Sequence, residues 1–305
     1  MNRLFKLLFW TSLSFAIISC ESKPQENREG KLYIVTTTGM IEDALKNIAG
    51  DLAEVEGLMG PGVDPHLYKP TPGDLKKLRE ADVVFYSGLH LEGKMNDVFE
   101  KFGRTKPVFP VSDGVDEERL LGIESGVHDP HIWFDVSIWK DAVAYAAVKL
   151  AEVDKGNAAT YRANAEKYVR QLVELDTWVG GQIATVPEES RVLITAHDAF
   201  SYFGKAYNIE VRGLQGISTL SEFGLKDMGD LVSFISENKI KAVFVESSVP
   251  AKSLEAVVSG CQERGHDVKI GGTLYSDAMG AAGTPEGTYI GMVKANVNTI
   301  VGSLK

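Results

Sequence analysis

Six histidines stand at positions 66, 90, 128, 131, 197 and 266. Neutral imidazole is the commonest side-chain ligand for transition metals and also carries protons near neutral pH. His66 lies in GPGVDPHLY (60–68), His131 in HDPHIWFD (128–135) and His197 in LITAHDAFSYF (193–203), each close to an aspartate. All three occupy loop-like sequence beside predicted strand ends. Open parallel sheets bind ligands beyond the carboxyl ends of their strands, which is where His66 and His197 fall. Asp277, in LYSDAMG (274–280), closes the last predicted strand, where an aspartate serves equally well as the N-cap of a following helix. Taken singly, a loop histidine is more often solvated or hydrogen-bonded than functional. His90 is expected near the cleft without ligating, His128 on loop surface or as a reserve ligand, and His266 on solvated surface.

Other chemistries lack sequence support. No GxSxG elbow, HExxH helix, GxxxxGK[ST] loop, GxGxxG turn or CxxC pair occurs in the chain. Lys and Arg number 32 against 42 Asp and Glu, a formal net charge of −10. That balance argues against a nucleic-acid partner, because phosphate binding needs concentrated positive charge. Two cysteines, Cys20 and Cys261, are too few for a disulfide scaffold or a cysteine-rich zinc finger.

The first twenty residues, MNRLFKLLFWTSLSFAIISC, carry Arg3 and Lys6 ahead of a short apolar run from Leu7 to Ile18. A membrane-spanning helix needs about 20 apolar residues, so this segment reads as a secretory signal over 1–19. Its ending, IISC, resembles the bacterial lipobox, which makes Cys20 the expected site of lipidation. Acyl chains on one residue suffice for lasting membrane attachment. Residues 20–30 are polar and aperiodic, as expected of a flexible tether. The expected product is exported and lipid-anchored, facing the periplasm or the cell exterior.

At roughly 150 residues per domain, 305 residues predict two domains. Strand-like runs at 31–38, 53–59, 81–88 and 107–112 alternate with helical patterns, and TPGD (71–74) opens one of the helices. Short apolar strands between helices imply a parallel sheet covered on both faces. From Asn157 to Ile183 the pattern changes: Tyr161, Ala165, Tyr168, Leu172, Leu175, Val179 and Ile183 recur every three or four residues. This predicts one amphipathic helix of about 27 residues, roughly 40 Å long. Strand-like runs resume at 191–195, 210–214, 241–246 and 268–274. The expected fold is α/β: two (β/α)4-like lobes over 31–155 and 187–305, with parallel sheets, joined by a long helix within 156–186.

Six segments in this order resemble the substrate-binding lipoproteins of zinc and manganese ABC importers: GPGVDPHLYKPTPGD, ADVVFYSGLHLEGKM, DPHIWFD, ITAHDAFSYFGKAYNI, FVESSVP and TLYSDAMG. The similarity runs from about residue 31 to the C-terminus. It implies that His66, His131, His197 and Asp277 enclose one divalent cation in the cleft between the lobes. Three imidazoles and a carboxylate suit Zn²⁺. Asp64, Asp129 and Glu246 are candidates to orient the rings through their second nitrogens, although each taken singly is more often an acid that hydrogen-bonds its own loop. Manganese-dedicated members tend to carry glutamate at the third histidine, so His197 favours zinc, although the long His-rich loop of many zinc-dedicated members is missing. The resemblance further implies a non-enzymatic monomer that hands Zn²⁺, or else Mn²⁺ or Fe²⁺, to a membrane permease. Rival readings are a surface adhesin, a metal-storage lipoprotein and an anchored zinc hydrolase. Ordinary imidazole pKa values predict metal affinity falling below about pH 6.

Overall fold

The computed structural model describes residues 30–124 and 126–305, so the predicted signal segment and Cys20 lie outside the described residues. The first half runs β1 (Leu32–Thr36), α1 (Gly39–Ala49), β2 (Ala53–Gly57), α2 (Pro72–Glu80), β3 (Val83–Tyr86), α3 (Asn96–Gly103) and β4 (Val108–Pro110). A small hairpin of β5 (Gly122–Glu124) and β6 (Val127–His128) follows, then α4 (Val136–Val153) and α5 (Ala158–Ile183). The second half runs β7 (Val192–His197), α6 (Ser201–Tyr207), β8 (Glu210–Gln215), α7 (Leu225–Glu237), β9 (Ala242–Glu246), α8 (Lys252–Glu263), β10 (Lys269–Leu274) and α9 (Tyr289–Leu304).

The fold is α/β, with two parallel four-stranded sheets ordered β2-β1-β3-β4 and β10-β9-β7-β8. Read from its first strand, the second sheet repeats the order of the first. In each, the first strand sits between strands whose connections leave in opposite directions. That reversal opens a crevice at the strands' carboxyl ends, between β1 and β3 and between β7 and β9.

Strand residues alternate between two apolar layers. Tyr33 and Val35 face the layer holding Leu78, Val84 and Met95, whereas Ile34 faces the opposite core. In β7, Leu193 and Ile194 divide in the same way. Burial on both faces is why these strands read as β-branched runs rather than as polar–apolar alternation. The buried free thiol of Cys261 packs with Ile194, Val257 and Leu254 as a small apolar group.

The opposite core joins the two sheets. Ile34 and Phe85 of the first sheet share it with Leu193, Phe244 and Leu274 of the second, together with the inner faces of α1, α4, α5 and α9. On α5 the buried residues are the seven of the predicted stripe, from Tyr161 to Ile183. The helix packs against α1, α4 and α9. Tyr168 donates to Asp43 on α1 at 2.8 Å, and the same carboxylate takes the Tyr289 backbone N–H at 3.2 Å. At α2, Thr71 and Asp74 form a reciprocal capping box with Pro72 in the first turn, as TPGD predicts.

Candidate metal centre

Three loops and the end of one strand deliver the four side chains. His66 follows β2 in a Pro- and Gly-stiffened loop, where Asp64 Oδ1 accepts the backbone N–H of His66 at 2.8 Å and of Leu67 at 3.3 Å. The other Asp64 oxygen accepts from Thr219 Oγ1 at 2.6 Å, fastening this loop to one that follows β8. Asp64 therefore shapes the loop, the hydrogen-bonding role favoured for it from sequence, and does not reach the ring. The identical Asp-Pro-His tripeptide at 129–131 behaves differently. Asp129 Oδ1 accepts the His131 backbone N–H at 2.9 Å and also lies 2.7 Å from His131 Nδ1. Tyr202 donates to the Asp129 carbonyl at 3.0 Å, fixing the tripeptide from α6.

His197 is the last residue of β7, at the second sheet's crevice. Its neighbour β9 ends in Glu246, so parallel pairing sets the two side by side. Glu246 Oε1 accepts the His197 backbone N–H at 2.8 Å, and Oε2 lies 2.5 Å from His197 Nδ1 as a charge contact. Asp277 stands three residues beyond β10, and no helix starts there, so it is not an N-cap. Asn296 of α9 holds its loop, accepting the Tyr275 N–H at 2.8 Å and donating to the Tyr275 carbonyl at 2.7 Å. Trp133 Nε1 donates to the Ser276 carbonyl at 3.1 Å, coupling the Asp277 loop to the His131 segment.

The donor atoms of His66, His131, His197 and Asp277 all lie within 4.8 Å of one another, the one such group among the described residues. His66 Nε2 is 3.3 Å from His131 Nε2 and 3.9 Å from Asp277 Oδ2. His131 Nε2 is 3.4 Å from Asp277 Oδ1, and His197 Nε2 is 3.3 Å from Asp277 Oδ2. Bonds of about 2.0–2.1 Å to a tetrahedral ion place neighbouring ligand atoms about 3.3 Å apart. Both Asp277 oxygens and His197 Nε2 are buried without an aligned hydrogen bond. Buried polar atoms are almost always paired, so a cluster of unpaired donors turned toward one point is the signature of a cation site.

The surrounding charge tunes the rings unequally. Burial disfavours the charged form of His131, but Asp129 and Asp277 outweigh it and raise its pKa to about 9. His197 is likewise opposed by burial, yet Asp277 and Glu246 carry it well above the ordinary value. Burial would raise Asp277, but His197 and His131 keep it well below the usual carboxylate range. For His66 burial wins, helped by the two neighbouring imidazoles, and its pKa falls to about 3. Asp277, Asp129 and Glu246 thus face the rings, and a bound dication among neutral imidazoles would leave the centre slightly negative.

His90 and His128 line the cavity outside the four residues and belong to no ligand group. His266 is half-buried rather than solvated, with Nε2 2.7 Å from the Ile240 carbonyl. Sequence reading missed Thr219, Trp133, Tyr202 and Asn296. Of these only Asn296 carries a local signal, as a polar residue in the buried stripe of an apolar helix. Glu246→Gln is expected to weaken metal binding about 10- to 100-fold, because it loosens the His197 ring and removes a facing charge. Chelator competition checks this, and unchanged affinity would remove Glu246 from the metal's support.

A family model described as zinc-uptake complex component A, periplasmic (ZnuA), matches residues 34–303. The manganese-binding lipoprotein MntA of Bacillus subtilis is 49% identical over 294 residues, covering 96% of each chain. The zinc-binding protein TroA of Treponema pallidum is 49% identical over 276 residues, covering 90% of each. Its solved structure superposes with a TM-score of 0.89 over 90% of this chain and 99% of that one. The structure of Fe(III)-bound YtgA from Chlamydia trachomatis, 27% identical, gives a TM-score of 0.82 over 90% of this chain and 98% of its own. Further relatives are named metal ABC transporter substrate-binding lipoproteins, such as SsaB of Streptococcus sanguinis. This chain belongs to that ZnuA family of metal-importer substrate-binding proteins.

Proposed function

We propose that the chain captures a divalent transition metal outside the cytoplasmic membrane and delivers it to an ABC permease, with His66, His131, His197 and Asp277 as the ligands. The observation that carries this reading is the convergence of four buried donor groups, with both Asp277 oxygens and His197 Nε2 lacking an aligned hydrogen bond. Zinc is the first choice of cargo, since three imidazoles and one carboxylate at these spacings suit a tetrahedral ion.

One observation favours a second cargo. Both Asp277 oxygens face the rings, so the carboxylate can supply a fifth donor and accept manganese or iron. Relatives named for manganese and for zinc are equally similar to this chain, each at 49% identity. Zinc outcompetes manganese at almost any such site, so availability outside the cell, rather than affinity, sets which ion is carried.

The chain acts as a monomer held to the membrane through a lipid on Cys20, after removal of residues 1–19. Names of relatives as lipoproteins support this reading. Among the described residues no helix is long and apolar enough to cross a membrane. Residues 31–155 and 187–305 serve as the two lobes, with 156–186 between them. Because one apolar core runs through both sheets, release proceeds by a small tilt rather than a wide hinge opening. Such a tilt moves His197 and Asp277 away from His66 and His131.

Elemental analysis after dialysis against equal zinc, manganese and iron tests the proposal. The expected result is about one zinc per chain, and about one manganese when zinc is omitted. Less than stoichiometric retention of every metal would overturn it.

A further inference from the structure

The four donor side chains are not equally enclosed. Those of His131, His197 and Asp277 are 0% exposed and that of His66 is 3% exposed. A cavity of about 450 Å³ opens beside them and is lined by His66 but by none of the other three. A cation arriving from solvent therefore meets the His66 side of the centre first.

The wall of that cavity carries His90, His128 and Asp198 among Leu89, Ile123 and Val127. None of these three polar groups belongs to the four-donor set, and Asp198 accepts from Ser201 Oγ at 2.7 Å. His90 is presented by a backbone that three successive residues hold in the left-handed region, Gly88 at φ 89, Leu89 at 50 and His90 at 64. Glu92 fixes this turn by accepting the N–H groups of Ser87 at 2.7 Å and Gly88 at 3.4 Å. A side chain at Gly88 would collide with Ser112 and Pro110. The Asn96 amide lies 3.1 Å from His90 Nδ1. The atom in contact is the amide nitrogen Nδ2, which anchors the ring at Nδ1. His128 projects from the hairpin strand that leads into Asp129, and Asp198 follows His197, so both reach the cavity from segments that also carry ligands.

We propose that His90, His128 and Asp198 form a transit site, which draws a hydrated divalent cation into the cavity and passes it to His66. This rests on the ligand assignment above. The three do not converge within ligand distance of each other, which suits brief contact rather than storage. Two imidazoles and a carboxylate can replace waters of the ion one at a time, lowering the barrier between bulk water and the enclosed centre. Since the same barrier is crossed in both directions, losing the transit site slows entry and exit together.

The test mixes the full chain with Zn²⁺ alone and follows Trp133, whose ring lies 5.3 Å from that of His131. Release is followed after adding excess chelator. For the His90→Gln/His128→Gln double variant, and separately for Asp198→Asn, association is expected to slow about tenfold. Release is expected to slow by a similar factor, leaving the equilibrium affinity near that of the parent chain. Either rate staying at the parent value in all these variants would overturn the proposal. Failure of the ligand assignment would appear elsewhere, as parent-like affinity in His66→Ala.

Discussion

Asp277→Ala is expected to weaken zinc binding by more than about a hundredfold, beyond the 10- to 100-fold typical of an outer supporting residue. Asp277 is the one carboxylate among the four donors, and both its oxygens face imidazole nitrogens at 3.3–3.9 Å. Without it, three neutral rings must hold a dication in a buried pocket with no directly bound anion. Asp277→Asn keeps the shape and one oxygen donor while removing the charge, so it should fall between the parent and alanine variants. Calorimetry with a competing chelator checks the order. Parent-like affinity in Asp277→Ala would mean that the carboxylate does not bind the ion.

The second large effect is steep dependence on pH. In the metal-free centre the neighbouring carboxylates hold His131 at about 9 and His197 well above its ordinary value, so both carry protons at neutral pH. An incoming cation must expel them. His66, held down to about 3 by burial, is already neutral and contributes no proton. Groups with raised pKa are protonated below it, so acidification strengthens the competing protons, and affinity recovers as pH rises toward 9. About two protons should leave per cation, giving a loss of about a hundredfold per pH unit between about pH 8 and pH 6. Unperturbed imidazoles would instead begin to lose affinity only near pH 6. Titration calorimetry in buffers of different ionisation enthalpy counts the protons directly. An affinity that stays flat between about pH 7.5 and 5.5 would contradict imidazole ligation.

Much of this architecture was legible because the strands are buried on both faces. A run such as Lys31 to Thr38 has few alternatives to a central parallel strand. The stripe on α5 was equally plain, since one face of a long helix meets α1, α4 and α9. The β5–β6 hairpin escaped notice because strands of three and two residues leave no periodicity to read. The centre was harder. No spacing rule brings residues 66, 131, 197 and 277 together, and it was resemblance that joined them. The two Asp-Pro-His tripeptides show the limit of local reading. Asp129 reaches its histidine ring, whereas Asp64 turns to Thr219, 155 residues away, a partner that only the fold supplies.

The most direct test is X-ray absorption at the zinc K-edge of the zinc-loaded chain. The expected spectrum shows a shell of four or five nitrogen and oxygen atoms at about 2.0–2.2 Å, with the outer scattering of three imidazole rings. A sulfur shell, or scattering from fewer than two imidazoles, would contradict it.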